Sequence, residues 1–114
     1  AADYAAAFDQ CHYLSLKLEE RFKKSPLILS PATCGLTPKI YEQGIVNGEE
    51  TPAWVAFTYG INMTRNPAGT FPIGLSTQGL PIGIQVIGSQ QDDLGVLQGI
   101  KNFENIMNFN IKAS

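Results

Sequence analysis

Gly79-Leu80-Pro81-Ile82-Gly83-Ile84-Gln85-Val86-Ile87-Gly88 is the stretch on which the fold turns. From Pro81 or Ile82 to Gly88 it predicts a strand. Alternation puts Ile82, Ile84 and Val86 on one face and Gly83, Gln85 and Ile87 on the other. Just upstream, Ala68 to Leu75 predicts a second strand, carrying Pro72. Ser76-Thr77-Gln78-Gly79 between them reads as a turn, so the two strands form a hairpin-like pair. Gly69, Gly74, Gly83 and Gly88 imply that another backbone lies close to this sheet. Downstream, Leu94, Leu97, Ile100, Phe103 and Met107 repeat at helical spacing, predicting a helix from about Asp92 to Asn108 with Asp92 or Asp93 near its cap.

Further toward the N-terminus, Thr51-Pro52 opens a helix, with Thr as N-cap and Pro at the first helical position. Glu49 and Glu50 then sit at the favourable end of its dipole. The helix should run to Met63 or Thr64. It is apolar nearly all round, which predicts burial on more than one side. Leu27-Ile28-Leu29-Ser30, apolar on both faces, predicts a short buried strand. Residues 4 to 24 predict an amphipathic helix, with Tyr4, Phe8, Cys11, Leu18 and Phe22 on one stripe, Asp3 as N-cap and Pro26 as terminator. Between Pro31 and Thr51 the periodicity dissolves into a loop of about twenty residues, a length usually tied to function. Asn47-Gly48 marks a turn inside it. The order is α, β, loop, α, β, β, α.

Composition narrows the possible functions. The chain has 114 residues, 44% hydrophobic and 16% charged, with a net charge of -2. That is one globular domain, or a piece of one. No basic excess supports nucleic-acid binding. No apolar run is long enough to span a membrane, and no signal peptide is visible. The chain opens on Ala1-Ala2-Asp3-Tyr4 without an initiator Met, so it is expected to be processed, trimmed or part of something longer. Cys11 and Cys34 form no disulfide framework; two half-buried free thiols in a reducing compartment are expected, which favours the cytoplasm. Asn62-Met63-Thr64 fits a glycosylation sequon but lies in an apolar stretch.

The residues show no catalytic constellation by spacing. No two glycines are spaced as in a dinucleotide or phosphate loop. One His and two Cys do not make a zinc site, and no metal or cofactor is expected. Cys11 and His12 are adjacent on a helix and do not face each other. A thiol enzyme using Cys34 with His12 is a minor alternative. None of the six serines sits in a nucleophile elbow. Ser30 is read as a strand end and Ser76 as a turn. Asp92-Asp93 and Glu49-Glu50 are explained by helix capping. Trp54, Phe57 and Tyr59 could line a pocket or pack in a core.

Several motifs together resemble the amidase signature family. Leu27-Ile28-Leu29-Ser30-Pro31-Ala32-Thr33 resembles its hydrophobic strand followed by Pro-Thr. Thr51-Pro52-Ala53-Trp54, Thr58-Tyr59 and Asn62-Met63-Thr64-Arg65-Asn66-Pro67-Ala68 resemble its helix-to-strand passage. Pro72-Ile73-Gly74-Leu75 and Gly79 to Gly88 resemble the strand pair that follows, "GLP-x-G-x-Q" being the most specific part. The match is weakest from Gly35 to Glu50, and Arg65 takes a position that is often Gly there. The resemblance implies the C-terminal piece of an α/β fold, part of a mixed β-sheet flanked by helices. It implies hydrolysis of a small amide by serine acyl transfer, with two serines and a lysine upstream; none of these can be assigned to this chain. Trp54, Thr58, Tyr59 and Asn62 become candidate substrate-pocket residues. The expected partner is the upstream part of the same amidase, or another copy of this chain. The alternative is a non-catalytic interaction module that associates through its sheet edge.

Overall fold

The computed structural model describes residues 1–108. Helix α1 (Ala2–Phe22) is followed by strand β1 (Leu27–Pro31), then by two two-residue strands, β2 (Ile45–Val46) and β3 (Glu49–Glu50). A 3-10 turn (Pro52–Val55) leads into α2 (Ala56–Thr64). Strands β4 (Ala68–Leu75) and β5 (Pro81–Gly88) and helix α3 (Asp93–Met107) complete the described chain. The main sheet has the order β1-β5-β4, with both pairings antiparallel. The sequence order is therefore not the spatial order: β5, last in sequence, is central.

The alternation in β5 sets the layers. Val86 is fully buried and forms the core with Phe71 of β4 and Val96 of α3, flanked by Leu27, Ile73, Ile84, Ile100 and Phe103. Phe71 and Phe103 stack with ring centroids 5.6 Å apart. The opposite face carries Gln85, which reaches α2. Its Nε2 donates to Ser30 Oγ at 2.9 Å and to the Phe57 carbonyl at 3.2 Å. Helix α3 thus covers one face of the sheet, and α2 meets the other through the Gln85 amide. Pro72 is accommodated because β4 is an edge strand in this chain and its register shifts between Pro72 and Gly74.

Helix α3 approaches closely because the sheet below it lacks side chains at two points. A Cβ on Gly69 would meet Ile100, and one on Gly88 would lie 2.7 Å from Val96 Cγ2. Gly69 and Gly88 thus face side chains of α3. A Cβ on Gly88 would also lie 3.4 Å from the Asp92 carbonyl oxygen, and Gly83 faces Ala32 instead. Gly74 has nothing near it. Asp92 caps α3 as expected, accepting from the Gly95 amide at 3.1 Å.

Other expectations are corrected. Helix α1 begins at Ala2 after Ala1, so Asp3 is not the cap but lies in the first turn, where the dipole still favours its charge. Glu49 and Glu50 lie on β3 rather than at a helix start, because Asn47 and Gly48 both take positive φ and close a hairpin. The 20-residue gap therefore carries structure of its own. Burial falls short of the pattern in three elements. Helix α1 has no buried residue, Leu29 of β1 is 48% exposed, and Phe57 and Met63 of α2 are 43% and 59% exposed. The apolar faces are present; among the described residues, little covers them.

One polar hub ties α1 to two corners of the fold. Glu19 accepts from Ser89 Oγ at 2.6 Å, from the Gln90 amide at 3.1 Å and from Asn66 Nδ2 at 3.2 Å. Asn66 is buried and also donates to the Gly88 carbonyl at 2.9 Å. The bond from Ser89, then those from Gln90 and Asn66, hold the Glu19 carboxyl below its ordinary value of 4.5 against the opposing pull of desolvation.

These bonds can be tested in the complete polypeptide. Gln85→Leu removes the part-buried bonds to the Phe57 carbonyl and the Ser30 hydroxyl and should cost about 0.5–1.5 kcal/mol per bond in urea unfolding. The charged form of Glu19 is favoured in the folded state. Its contribution is therefore present above the unfolded carboxyl range and is lost as pH falls from about 5 through the lowered folded value. Glu19→Gln should remove that part of the acid dependence, read as the unfolding midpoint against pH.

Candidate functional site

The segment from Ala32 to Thr51 crosses the end of the sheet and is anchored at few points. The Ala32 amide donates to the Gly83 carbonyl at 3.0 Å, and the Cys34 amide to the Trp54 carbonyl at 2.7 Å. Thr33 Oγ1 donates to the Gly35 carbonyl at 2.8 Å. The Thr51 amide donates to the Gly44 carbonyl at 2.8 Å. Trp54 forms the anchor of this loop. Gly44 is buried directly against it, and a Cβ there would fall on the Trp54 Cβ, Cγ and Cδ1 atoms. Only glycine fits at that contact.

Thr51 caps the segment that carries the other candidate residues, accepting from the Ala53 amide at 3.1 Å. Thr58 is half-buried and its hydroxyl donates to the Val55 carbonyl at 2.9 Å. Tyr59 is about half exposed, and its hydroxyl donates to the Pro52 carbonyl at 3.4 Å. Asn62 is exposed and lines a groove between α1 and α2. Trp54, Thr58 and Tyr59 thus lie together on the 3-10 turn and the first half of α2. Asn62 faces a different hollow, alongside Phe8 and His12.

A cleft of about 400 Å³ lies between the Thr33–Thr37 segment and the turn end of the β4–β5 hairpin. Cys34, Leu36, Ile73, Ile82 and Ile84 line it. Sequence reasoning does not single it out. Its only signals are the strand ending at Pro31 before an over-long loop and the proline that bulges β4 at Ile73. Cys34 is a free, half-buried thiol, as is Cys11. His12 lines the α1–α2 groove with Cys11, away from this cleft, so Cys34 and His12 share no cavity.

The remaining nucleophile and acid candidates have structural partners. Ser30 accepts from Gln85, and Ser76 Oγ accepts from the Gln78 and Leu80 amides inside the hairpin turn. Asp92 is a cap, and Glu50 accepts from the Gln43 amide at 3.4 Å. Thr64 of the sequon is buried, with its hydroxyl donating to the Ile61 carbonyl. Among the described residues no group of three or more His, Cys, Asp or Glu could hold a metal ion, and no helix is long and apolar enough to cross a membrane. Among the described residues the arrangement offers walls and anchors, with no assembled nucleophile and base.

Known proteins match this arrangement over most of its length. The family model described as Amidase matches residues 2–97. A glutamyl-tRNA(Gln) amidotransferase subunit from Wolinella succinogenes is 31% identical over 112 residues, covering 95% of this chain and 24% of the relative. A fatty acid amide hydrolase of Medicago truncatula is 35% identical over 108 residues, covering 86% and 17%. Among solved structures, 6-aminohexanoate cyclic dimer hydrolase superposes with a TM-score of 0.76 at 27% identity, over 96% of this chain and 25% of that one. A bacterial aryl acylamidase gives a TM-score of 0.73 at 28% identity, over 89% and 22%. The chain spans about a quarter or less of the length of these relatives.

The Gly44–Trp54 contact gives a direct test, since Trp54 is the one tryptophan. Gly44→Ala should displace the indole and loosen the loop. In the isolated chain, or in a complete polypeptide with other tryptophans replaced, the emission should shift and quench more readily, while Gly74→Ala, where a Cβ meets nothing within 4 Å, should leave it unchanged.

Proposed function

This chain belongs to the amidase signature family, and we propose that it works as part of a longer polypeptide that hydrolyses a carbon–nitrogen amide bond by serine acyl transfer. One observation carries the reading: the chain superposes over 96% of its length on 6-aminohexanoate cyclic dimer hydrolase. The region resembled is the C-terminal part of such enzymes. In the proposed reaction a serine oxygen outside this chain bonds to the amide carbonyl carbon. The C–N bond breaks, and the amine or ammonia leaves with a proton. Water then cleaves the acyl ester, releasing the acid and restoring the serine. The second serine and the lysine also come from outside this chain.

What this chain contributes is architecture and part of a pocket wall. Trp54, Thr58 and Tyr59, which lie together, are the residues proposed to face substrate; Asn62 lines the separate hollow between α1 and α2. Trp54 fixes the loop, and the hydroxyls of Thr58 and Tyr59 are tied to backbone carbonyls, which keeps their apolar bodies in place. Preset walls of this kind favour orientation of a bound amide over direct chemistry. The substrate is a small amide, the reaction calls on no cofactor, and a cytoplasmic setting fits the free thiols Cys11 and Cys34.

The partner is the remainder of the same polypeptide. Tyr4, Phe8, Leu29, Phe57 and Met63 are all more than 40% exposed, an apolar surface too extensive for water contact. The outer edge of β1 is likewise unpaired in the described sheet. The second reading, a non-catalytic module that pairs with its own copy through that edge, is favoured by the same exposure.

The complete polypeptide should release ammonia or amine from members of a panel of aliphatic and aromatic amides. Tyr59→Ala in it should lower kcat/KM by roughly tenfold, about 1.4 kcal/mol, mainly through KM. Native mass measurement separates the readings. A single longer chain that hydrolyses amides supports the first. An inactive, defined oligomer of a chain of this size supports the second.

A further inference from the structure

Gln85 closes the motif that resembles the amidase signature family most specifically, yet the amide hydrolysis proposed above gives it no part. It is 4% exposed, a buried amide on the central strand. Strand β5 is hydrogen-bonded along both edges, so it is the rigid frame of the described fold. The Gln85 Nε2 group carries two hydrogens and uses both. One goes to Ser30 Oγ at 2.9 Å and one to the Phe57 carbonyl at 3.2 Å.

The Phe57 carbonyl belongs to the peptide unit that continues into Thr58. That unit is planar, so a grip on its oxygen also fixes the Thr58 nitrogen and Cα. Tyr59 follows directly, and Trp54 lies just before, on the 3-10 turn. The other bonds of these residues shape the segment without locating it on the sheet. The Thr58 hydroxyl reaches Val55 and the Tyr59 hydroxyl reaches Pro52, both inside segment 52–59. The bond from the Cys34 amide to the Trp54 carbonyl comes from the loop. The far end of α2 is tied separately, where the Gln90 side chain donates to the Thr64 carbonyl at 2.8 Å. Among the described residues, the Gln85 bond is the one hydrogen bond from a strand of the main sheet to α2.

We propose that Gln85 is a positioning residue: it sets the near end of α2 against the sheet, and with it the wall of Trp54, Thr58 and Tyr59 that receives the substrate. The inference rests on the hydrolase reading. Without the bond, α2 can pivot about its Thr64 end and carry the wall with it. The groups that break the C–N bond lie outside this chain and are not touched. The signature is therefore a change in KM rather than in kcat.

The test uses the complete polypeptide and the amide of the panel above that it cleaves fastest. Gln85→Met keeps the length of the side chain and removes both donors. In the folded enzyme, assayed well below its unfolding midpoint, it should raise KM about fivefold with kcat within about twofold, the scale of a displaced wall. Ser30→Ala removes only the other acceptor and should leave KM within about twofold of the original. Combined with Tyr59→Ala, Gln85→Met should add little further, because both act on one wall; a double-mutant cycle reads that coupling. Where Gln85→Met does not fold, Gln85→Asn, whose amide is one methylene short of its acceptors, is held to the same KM criterion. An unchanged KM in a folded variant overturns the proposal, as does a loss confined to kcat. An equal rise for Ser30→Ala would trace the effect to β1 and also overturns it, and so does an additive cycle with Tyr59→Ala. If neither Gln85 variant folds, the residue is framework alone and the proposal falls. A complete polypeptide that cleaves no amide overturns the hydrolase reading itself, and this inference with it.

Discussion

Strand β5 is paired along both edges, and its two faces carry different chemistry; every other described element takes its position from that fact. Val86 and Ile84 hold α3 on one side. Gln85, one residue away and on the other face, holds β1 and α2 through a single amide group. A one-residue slip of β5 would exchange these faces, placing an amide in the apolar core and an aliphatic side chain beside the Phe57 carbonyl. Register is thereby fixed by polarity as well as by shape. The glycines follow from the same constraint. Gly69 and Gly88 clear the way for Ile100 and Val96, so α3 can lie close enough to bury Val86 completely.

Much of this is legible from local signals. Alternation marks both faces of β5, and Thr51-Pro52 and Asp92 mark helix starts that the structure keeps. Asn47-Gly48 marks a turn, but the short strands it joins leave no signal; two residues per strand are too few for alternation to register. The misassignment of Glu49 and Glu50 has the same cause, since carboxylates before a Thr-Pro helix start read as dipole partners. The hub at Glu19 is invisible to sequence reasoning. Its partners are 47 to 71 residues away, and no periodicity encodes a contact at that range. The candidate pocket is legible only by resemblance. Trp54, Thr58 and Tyr59 cluster because they are near in sequence, while the cleft at Cys34 arises from two distant segments.

The expectations of burial fail in an informative direction. Helix α2 carries apolar residues nearly all round, and α1 has a continuous apolar stripe, yet both leave large side chains in water. The hydrophobic pattern is real, but it records a larger body than the described residues supply. Apolar faces evolve against their neighbours. The chain spans about a quarter of the length of its relatives, and in the reading proposed above the missing neighbours belong to the rest of that longer polypeptide.

The strand order β1-β5-β4 also has a kinetic consequence. Ser30 pairs with Gln85, a separation of 55 residues. At ordinary synthesis rates of about 5–20 residues per second, β1 leaves the ribosome roughly 3–11 s before its partner exists. During that interval Leu27-Ile28-Leu29 presents two unpaired edges and no polar side chain, the profile of a segment prone to adventitious strand pairing. Helix α1, made just before it and rich in alanine, folds on its own far sooner. The order of synthesis therefore places a fast-forming element beside the most vulnerable one, and makes the arrival of β5 the event that ends the exposure.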